Sequence, residues 1–73
     1  MREYTAVVER EADGRYSVHV PDLPGCASMG DTGRQALTNV REAIACYEEG
    51  LAALGKSLPR RRVRVEIVRI KAA

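Results

Sequence analysis

The sequence has few of the residues that form disulfides, metal sites or catalytic centres in small proteins. Its 73 residues include two cysteines, one histidine, and no tryptophan or phenylalanine. Cys26 and Cys46 lack the spacing of a metal-binding pair, and His19 cannot complete a zinc site with them. Neither Ser17 nor Cys26 has the partners of a catalytic triad, because no second histidine exists. We therefore expect no cofactor, no metal site and no nucleophilic catalysis.

Long apolar runs are also missing. No stretch approaches the ~20 apolar residues of a membrane span, and the N-terminal residues 1–4 lack the apolar core of a signal peptide. We expect a cytoplasmic protein with reduced thiols and no membrane association. Residues 1–73 form one domain, whose core should supply only roughly 3–5 kcal/mol of net stability. We therefore expect self-association into a dimer or tetramer.

Charge is distributed unevenly along the chain. Residues 1–55 contain five arginines against nine acidic residues, a net charge of −4. Residues 56–73 contain seven basic residues against one acidic residue, a net charge of +6. The body could therefore attract a basic partner, and the C-terminal segment could contact an acidic one.

Three short segments before the middle of the chain have the pattern of antiparallel strands. Tyr4–Arg10 is rich in β-branched residues, and Tyr16–Val20 alternates apolar and polar side chains. The Asp-Gly pair at 13–14 predicts a hairpin turn between them. The alternation predicts that the valines of the second strand are buried and that His19 lies on the exposed face of the sheet or at a subunit contact. Cys26–Met29 is long enough for a short third strand.

The loop after the second strand is the most constrained segment of the chain. Its two prolines fix φ and remove two backbone donors, so no strand continues through it. We interpret it as a rigid corner that leads into the third strand. It is also a candidate partner-binding surface, with Leu23 held outward by the flanking prolines, because a preorganised loop loses little entropy on binding. The candidate residues are Pro21, Asp22, Leu23, Pro24 and Gly25.

Residues 32–55 have the pattern of one long amphipathic helix. Thr32 and Gln35 have the spacing of a capping box, and Gly55 followed by Pro59 marks the C-terminal end. One apolar stripe comprises Ala36, Leu37, Val40, Ala43, Ile44, Tyr47, Leu51 and Leu54. We predict a helix of about six turns that covers one face of the sheet.

The C-terminal segment predicts a fourth strand, because Arg62–Ile67 alternates charged and β-branched residues. After Ile67 the alternation breaks, and Val68 and Ile70 fall on the opposite face. Either a β-bulge re-phases the strand, or these two residues pack on a second subunit. The predicted fold class is α+β with the order β-β-β-α-β: a three-stranded antiparallel sheet plus a fourth strand, with one long helix packed on one face.

Several strings of this chain form a long, ordered pattern. In chain order they are Tyr4–Glu9, Asp13–Tyr16, Val20–Cys26, Gly30–Thr32, Ala36-Leu37 and Asn39–Ile44. The set resembles the N-terminal domain of HicB-like antitoxins from residue 4 to about residue 59. This resemblance implies a partial RNase H-like fold without the nuclease active site. It also implies a partner, HicA, a small basic mRNA-cleaving toxin with a double-stranded-RNA-binding-like fold.

One departure from the family pattern affects the functional hypothesis. HicB proteins usually carry a C-terminal helix-turn-helix or ribbon-helix-helix domain that binds the operator of their own genes. Thirteen residues follow Arg60 in this chain, so we expect no such domain and no autoregulation. The leading hypothesis is a non-catalytic antitoxin of a type II toxin–antitoxin system that occludes the toxin. The acidic body has the charge that complements a basic toxin.

An RNase H-like fold raises the question of metal-dependent nuclease activity, which needs several convergent acids. The acidic residues fall at strand ends, turns and caps, where solvation explains them: Glu3, Glu9, Asp13, Asp22 and Asp31. We therefore predict no catalytic residues and a protein that is not an enzyme.

The basic C-terminal segment supports an alternative, an orphan dimeric domain that contacts nucleic acid. Its candidate contacts are Arg60, Arg61, Arg62 and Arg64. However, no aromatic residue follows Tyr47, so the segment has no platform on which bases could stack. Charged residues in alternation also fit a solvated strand edge.

Overall fold

The computed structural model of the chain describes residues 2–61 and 63–72. The three predicted strands and the helix are present in the predicted order. They are β1 (Val7–Arg10), β2 (Tyr16–His19), β3 (Ala27–Gly30) and α1 (Gly33–Ala53). The architecture is therefore α+β, with one antiparallel sheet and one helix packed on it.

The sheet has β2 at its centre and β1 and β3 at its edges, with both pairings antiparallel. Val8 lies opposite Val18, and Val18 lies opposite Ser28. The first strand begins at Val7 rather than at Tyr4. Pro21 explains this difference, because its missing N–H cannot continue the ladder beyond the end of β2.

Both ends of α1 are capped as the sequence predicts. The Thr32 hydroxyl accepts a hydrogen bond from the Gln35 amide at 3.0 Å. The Gln35 side chain reaches back and accepts from the Asp31 amide at 2.7 Å, one residue before the position of a standard capping box. At the other end, the Lys56 amide donates to the Leu51 carbonyl at 2.9 Å, which closes a Schellman motif around Gly55.

The core lies between the sheet and the helix and is small. Its buried members are Val18, Val20, Leu23, Cys26, Ala36 and Val40. Gly30 allows β3 to approach the helix, because a Cβ atom at this position would lie 2.8 Å from the Gln35 carbonyl carbon. The predicted burial of Val18 and Val20 is confirmed, and His19 is exposed in the single chain.

The helix is longer than the sheet that it covers. Twenty-one residues span about 31 Å, whereas a strand of four residues spans about 13 Å. The middle of the predicted apolar stripe is buried or half-buried, but Leu37 and Leu54 are exposed. The stripe therefore predicts correctly which face of the helix is buried, but it includes two residues that are not covered by the sheet.

The predicted fourth strand is not formed in this single chain. Residues 63–72 contain no strand, and their backbone makes no hydrogen bond to the backbone of the sheet. A strand needs a neighbouring backbone, and residues 63–72 have none in the single chain. The chain measures 53 × 27 × 20 Å.

Candidate partner-binding surfaces

Three surfaces could meet a partner: the loop of residues 21–25, the open face of the sheet, and the C-terminal segment of residues 56–72. The loop is closed by its own backbone. The Leu23 amide donates to the Val20 carbonyl at 3.0 Å, and the Cys26 amide donates to the Leu23 carbonyl at 2.9 Å. Gly25 has φ of 82°, a conformation that favours glycine. These bonds confirm the predicted corner between β2 and β3.

The outward orientation that we predicted for Leu23 is wrong. Its side chain is 1% exposed and forms part of the core. Burial of a leucine outweighs any preference that the flanking prolines impose on the backbone. Within the loop, Asp22 is buried, Pro21 is half-buried, and only Pro24 and Gly25 are exposed. The surface that the loop offers to a partner is therefore its tip.

Asp22 holds the C-terminal segment against the body. Its side chain is 6% exposed, and its Oδ1 atom accepts a hydrogen bond from the Val63 amide at 3.1 Å. Its Oδ2 atom lies 3.4 Å from Nε of Arg61. A buried carboxylate requires such partners, because desolvating an uncompensated charge is costly. Asp22 therefore acts as an attachment point rather than as an exposed recognition residue.

The three described arginines among those proposed for nucleic-acid contact differ in their surroundings. Arg61 also donates to the Thr5 hydroxyl at 3.0 Å, and Arg64 lies 2.9 Å from Glu66. Arg60 is exposed. Arg62 lies outside the described residues. Two of the three described arginines are thus engaged with groups of the chain itself.

The open face of the sheet lies opposite the helix. The pairing register places Glu9, Ser17 and Met29 side by side on it, next to Val7, His19 and Ala27. Glu11 accepts a hydrogen bond from the Ser17 hydroxyl and adds a second carboxylate to this face. Met29 is an exposed hydrophobic residue. The open face therefore combines negative charge with a small apolar area.

Sequence reasoning missed a polar cluster that ties the N-terminus to the helix. Glu48 accepts hydrogen bonds from Nε of Arg2 at 2.7 Å and from the hydroxyl of Tyr4 at 2.8 Å. The hydrogen bonds from Arg2 and Tyr4 lower the pKa of Glu48 below its usual value. Burial, together with the bond to Glu48, raises the pKa of Tyr4. The partners are more than forty residues apart, and no local pattern indicates such a contact.

The remaining chemistry-bearing residues are separated from one another. Both cysteines are free, with Cys26 buried and Cys46 exposed. Burial raises the pKa of the Cys26 thiol, which keeps it protonated. Among residues 2–61 and 63–72, no three acidic, histidine or cysteine side chains could together hold a metal ion. No helix in the described part of the chain is long and apolar enough to cross a bilayer.

Comparison with known proteins shows several relatives. A UPF0150 protein from Thermoplasma acidophilum is 43% identical over 58 residues, which cover 80% of this chain and 84% of that protein. An uncharacterized 14.9 kDa protein of Haemophilus phage HP1 is 44% identical over 57 residues, and the match covers 42% of its length.

A solved structure has the same fold. The N-terminal domain of the Burkholderia pseudomallei antitoxin HicB superposes with a TM-score of 0.71 at 36% identity. The superposition covers 81% of this chain and 69% of that one. The family model described as "HicB_like antitoxin of bacterial toxin-antitoxin system" matches residues 4–71. This match includes the C-terminal segment as well as the packed body. The chain therefore belongs to the HicB-like antitoxin family of bacterial toxin–antitoxin systems.

Proposed function

We propose that this chain is the antitoxin of a type II system that binds a HicA-type mRNA-cleaving toxin and occludes its active surface. It acts in the cytoplasm by binding and not by catalysis, on a partial RNase H-like scaffold. The observation that carries this proposal is the family match over residues 4–71. The similarity to a solved antitoxin domain at 36% identity supports it.

Charge favours a basic partner for the body of the domain. The body has a net charge of −4 over residues 1–55, and the open face presents Glu9 and Glu11 beside the exposed Met29. A toxin that cleaves mRNA must attract phosphates and therefore carries positive charge. Complementary potentials accelerate association and select the partner.

The tip of the 21–25 loop is the second part of the proposed contact. Pro24 and Gly25 are exposed, and the buried Leu23 fixes the loop from below. A loop that is already ordered loses little entropy when it binds. We therefore place the toxin across this tip and the adjoining open face.

Co-expression with a short basic protein encoded beside this gene tests the proposal. We expect relief of toxin-induced growth arrest and co-elution of the two proteins. Pro24→Arg should weaken the complex at least about tenfold, because it places a cation against a basic partner. Pro59→Arg is the matched control, since Pro59 is also exposed but lies in the C-terminal segment. Persistent growth arrest with no co-eluting complex would contradict the proposal.

A pair of charge reversals tests separately whether the toxin contacts the open face. Glu9→Lys reverses a charge beside Ser17 on the open face, whereas Glu49→Lys reverses a charge on the exposed side of the helix. If the toxin meets the open face, only Glu9→Lys should slow association, and the loss should shrink at high salt. Equal effects of the two substitutions would remove the open face from the proposed contact.

The alternative function is nucleic-acid binding through the basic C-terminal segment, whose net charge of +6 favours it. The engagement of Arg61 with Asp22 and of Arg64 with Glu66 weighs against it. This alternative requires an affinity for RNA or DNA that falls steeply with salt. It also requires weaker binding after Arg60→Ala, because Arg60 is exposed.

We further propose that the protein works as a homo-oligomer, a dimer or a tetramer. Its core is small, and the C-terminal segment leaves four aliphatic side chains exposed to solvent in the single chain. Domains of this size commonly bury leftover apolar surface by self-association.

A further inference from the structure

Residues 63–70, which lie within the C-terminal segment, have the composition of a strand but no neighbouring strand in the single chain. Their aliphatic side chains Val65, Ile67, Val68 and Ile70 are between 63% and 87% exposed. β-branched residues favour the extended backbone and are stabilised by cross-strand packing. Four exposed aliphatic side chains within six residues form an apolar patch of the kind that marks an interaction surface.

The sheet offers one edge that is better suited than the other to receive a strand. On β3, the side-chain amide of Asn39 already donates to the Met29 carbonyl at 2.7 Å. The helix also packs more closely on β3 than on β1. On β1, Val8 belongs to the helix side of the sheet yet is 39% exposed. An edge strand with uncovered backbone groups is a template for another strand, so β1 is the edge left to fill.

The start of the segment is fixed close to that edge. Asp22 holds the Val63 amide at 3.1 Å, and Arg61 donates to Thr5, which lies two residues before β1. After this point the backbone of residues 63–70 forms no hydrogen bond to the backbone of its own sheet. Eight extended residues span about 26 Å, which is twice the length that β1 requires. The segment can therefore reach a neighbouring molecule while its first residues stay attached to Asp22.

We propose that residues 63–70 of each copy add as a strand to the β1 edge of a second copy, so that a symmetric dimer contains two four-stranded sheets. The single chain itself favours a second copy. Residues 63–70 start close to the β1 edge, yet their backbone forms no hydrogen bond to the backbone of their own sheet. As an extended strand they would present Val65 and Ile67 on one face and Val68 and Ile70 on the other.

Charge and symmetry also favour a second copy of this chain as the partner of residues 63–70. The segment belongs to the part of the chain with net charge +6, and the body that would receive it has net charge −4. Glu9 is an exposed carboxylate on β1, the strand beside which the added strand would lie. A reciprocal exchange uses the same patch on both subunits and closes the assembly at two copies.

This inference builds on the homo-oligomeric part of the proposed function and is independent of toxin binding. Light scattering of the full chain after gel filtration gives the mass, and hydrogen exchange locates the protected amides. We expect a dimer with protected amides both in residues 63–70 and on β1. Ile67→Lys should halve the mass and remove both sets of protection, whereas Leu54→Lys should change neither. Leu54 is a matched control because it is an exposed aliphatic residue outside the segment.

If the strands are not exchanged, the mass and hydrogen-exchange measurements give different results. A monomeric wild-type chain, a dimer that resists Ile67→Lys, or a dimer without protection on β1 would each overturn the exchange. Circular dichroism of the helix verifies that the variant is folded. Because Ile67→Lys leaves the loop tip and the open face unaltered, the toxin assay on the same variant separates this inference from toxin binding. Loss of the dimer with retained neutralisation would support the exchange and show that the toxin needs only one subunit.

Discussion

The packed body of residues 2–55 and the segment of residues 56–72 use similar residues with opposite outcomes. In the body, β2 alternates apolar and polar side chains, and its one valine, Val18, is buried. In the segment, the alternation around Val65 and Ile67 is just as regular, yet these side chains are largely exposed. The difference is that β2 has a strand on each side, whereas the segment has none in the single chain. An alternating pattern shows which strand can form, and a neighbouring backbone decides whether it does.

The largest expected effect is the loss of stability when an aliphatic side chain of the body is shortened, compared with the same change in the C-terminal segment. Leu23→Ala should cost about 2–5 kcal/mol, because it opens a cavity in the core. The whole domain is expected to have only roughly 3–5 kcal/mol of stability, so this variant should be largely unfolded. Ile67→Ala, at a concentration where the chain is monomeric, should change stability by less than about 0.5 kcal/mol. Urea unfolding followed by circular dichroism measures both, and similar losses would contradict the division into two regions.

A smaller effect tests the contact between β3 and the helix. Gly30→Ala should lower the free energy of unfolding by about 1–3 kcal/mol, because the new Cβ meets backbone atoms that cannot rotate away. Gly50→Ala is the matched control, since nothing lies within 4 Å of a Cβ there. It should stabilise the helix by up to ~1 kcal/mol. Opposite shifts in the urea midpoint are expected, and a neutral Gly30→Ala would show that the helix can move away from the sheet.

The junction between the two regions is tested at Asp22. Asp22→Ala should destabilise the body by about 1–3 kcal/mol, because the Val63 amide loses a charged acceptor. Asp22→Asn keeps an acceptor oxygen for Val63 and should cost less. Hydrogen exchange at Val63 should accelerate most in the alanine variant. Unchanged exchange at this amide would mean that the segment is not held by Asp22.

The smallest effect concerns the attachment of the N-terminus. The pKa of Glu48 is lowered in the folded chain from its ordinary value of 4.5, by hydrogen bonds from Arg2 and Tyr4. A lowered folded-state pKa contributes stability that is complete above the unfolded value and is lost as the pH falls through the folded value. The urea midpoint should therefore decrease on acidification below about pH 4.5. Glu48→Gln should make that decrease shallower, and an unchanged slope would assign the acid sensitivity to other carboxylates.

Most of the secondary structure could be predicted because its signals are local. The helix caps depend on residues three or four positions apart, such as Thr32 and Gln35. The faces of β2 follow from simple alternation around Val18. Membership of the HicB-like family could also be predicted, because its motifs are short strings in a fixed order. The error at Leu23 arose because proline restricts only the backbone and does not determine where the side chain finds apolar neighbours.

The sequence by itself determined the three strands and the helix, their order, the charge of each region and the family. Only the tertiary structure decided that Leu23 is buried, that Asp22 holds the start of the C-terminal segment, and that Glu48 joins Arg2 and Tyr4. These contacts link residues more than forty positions apart or depend on competition for a small core. Local propensity acts over a few residues, whereas such contacts exist only after the chain has folded and brought distant backbone and side chains together.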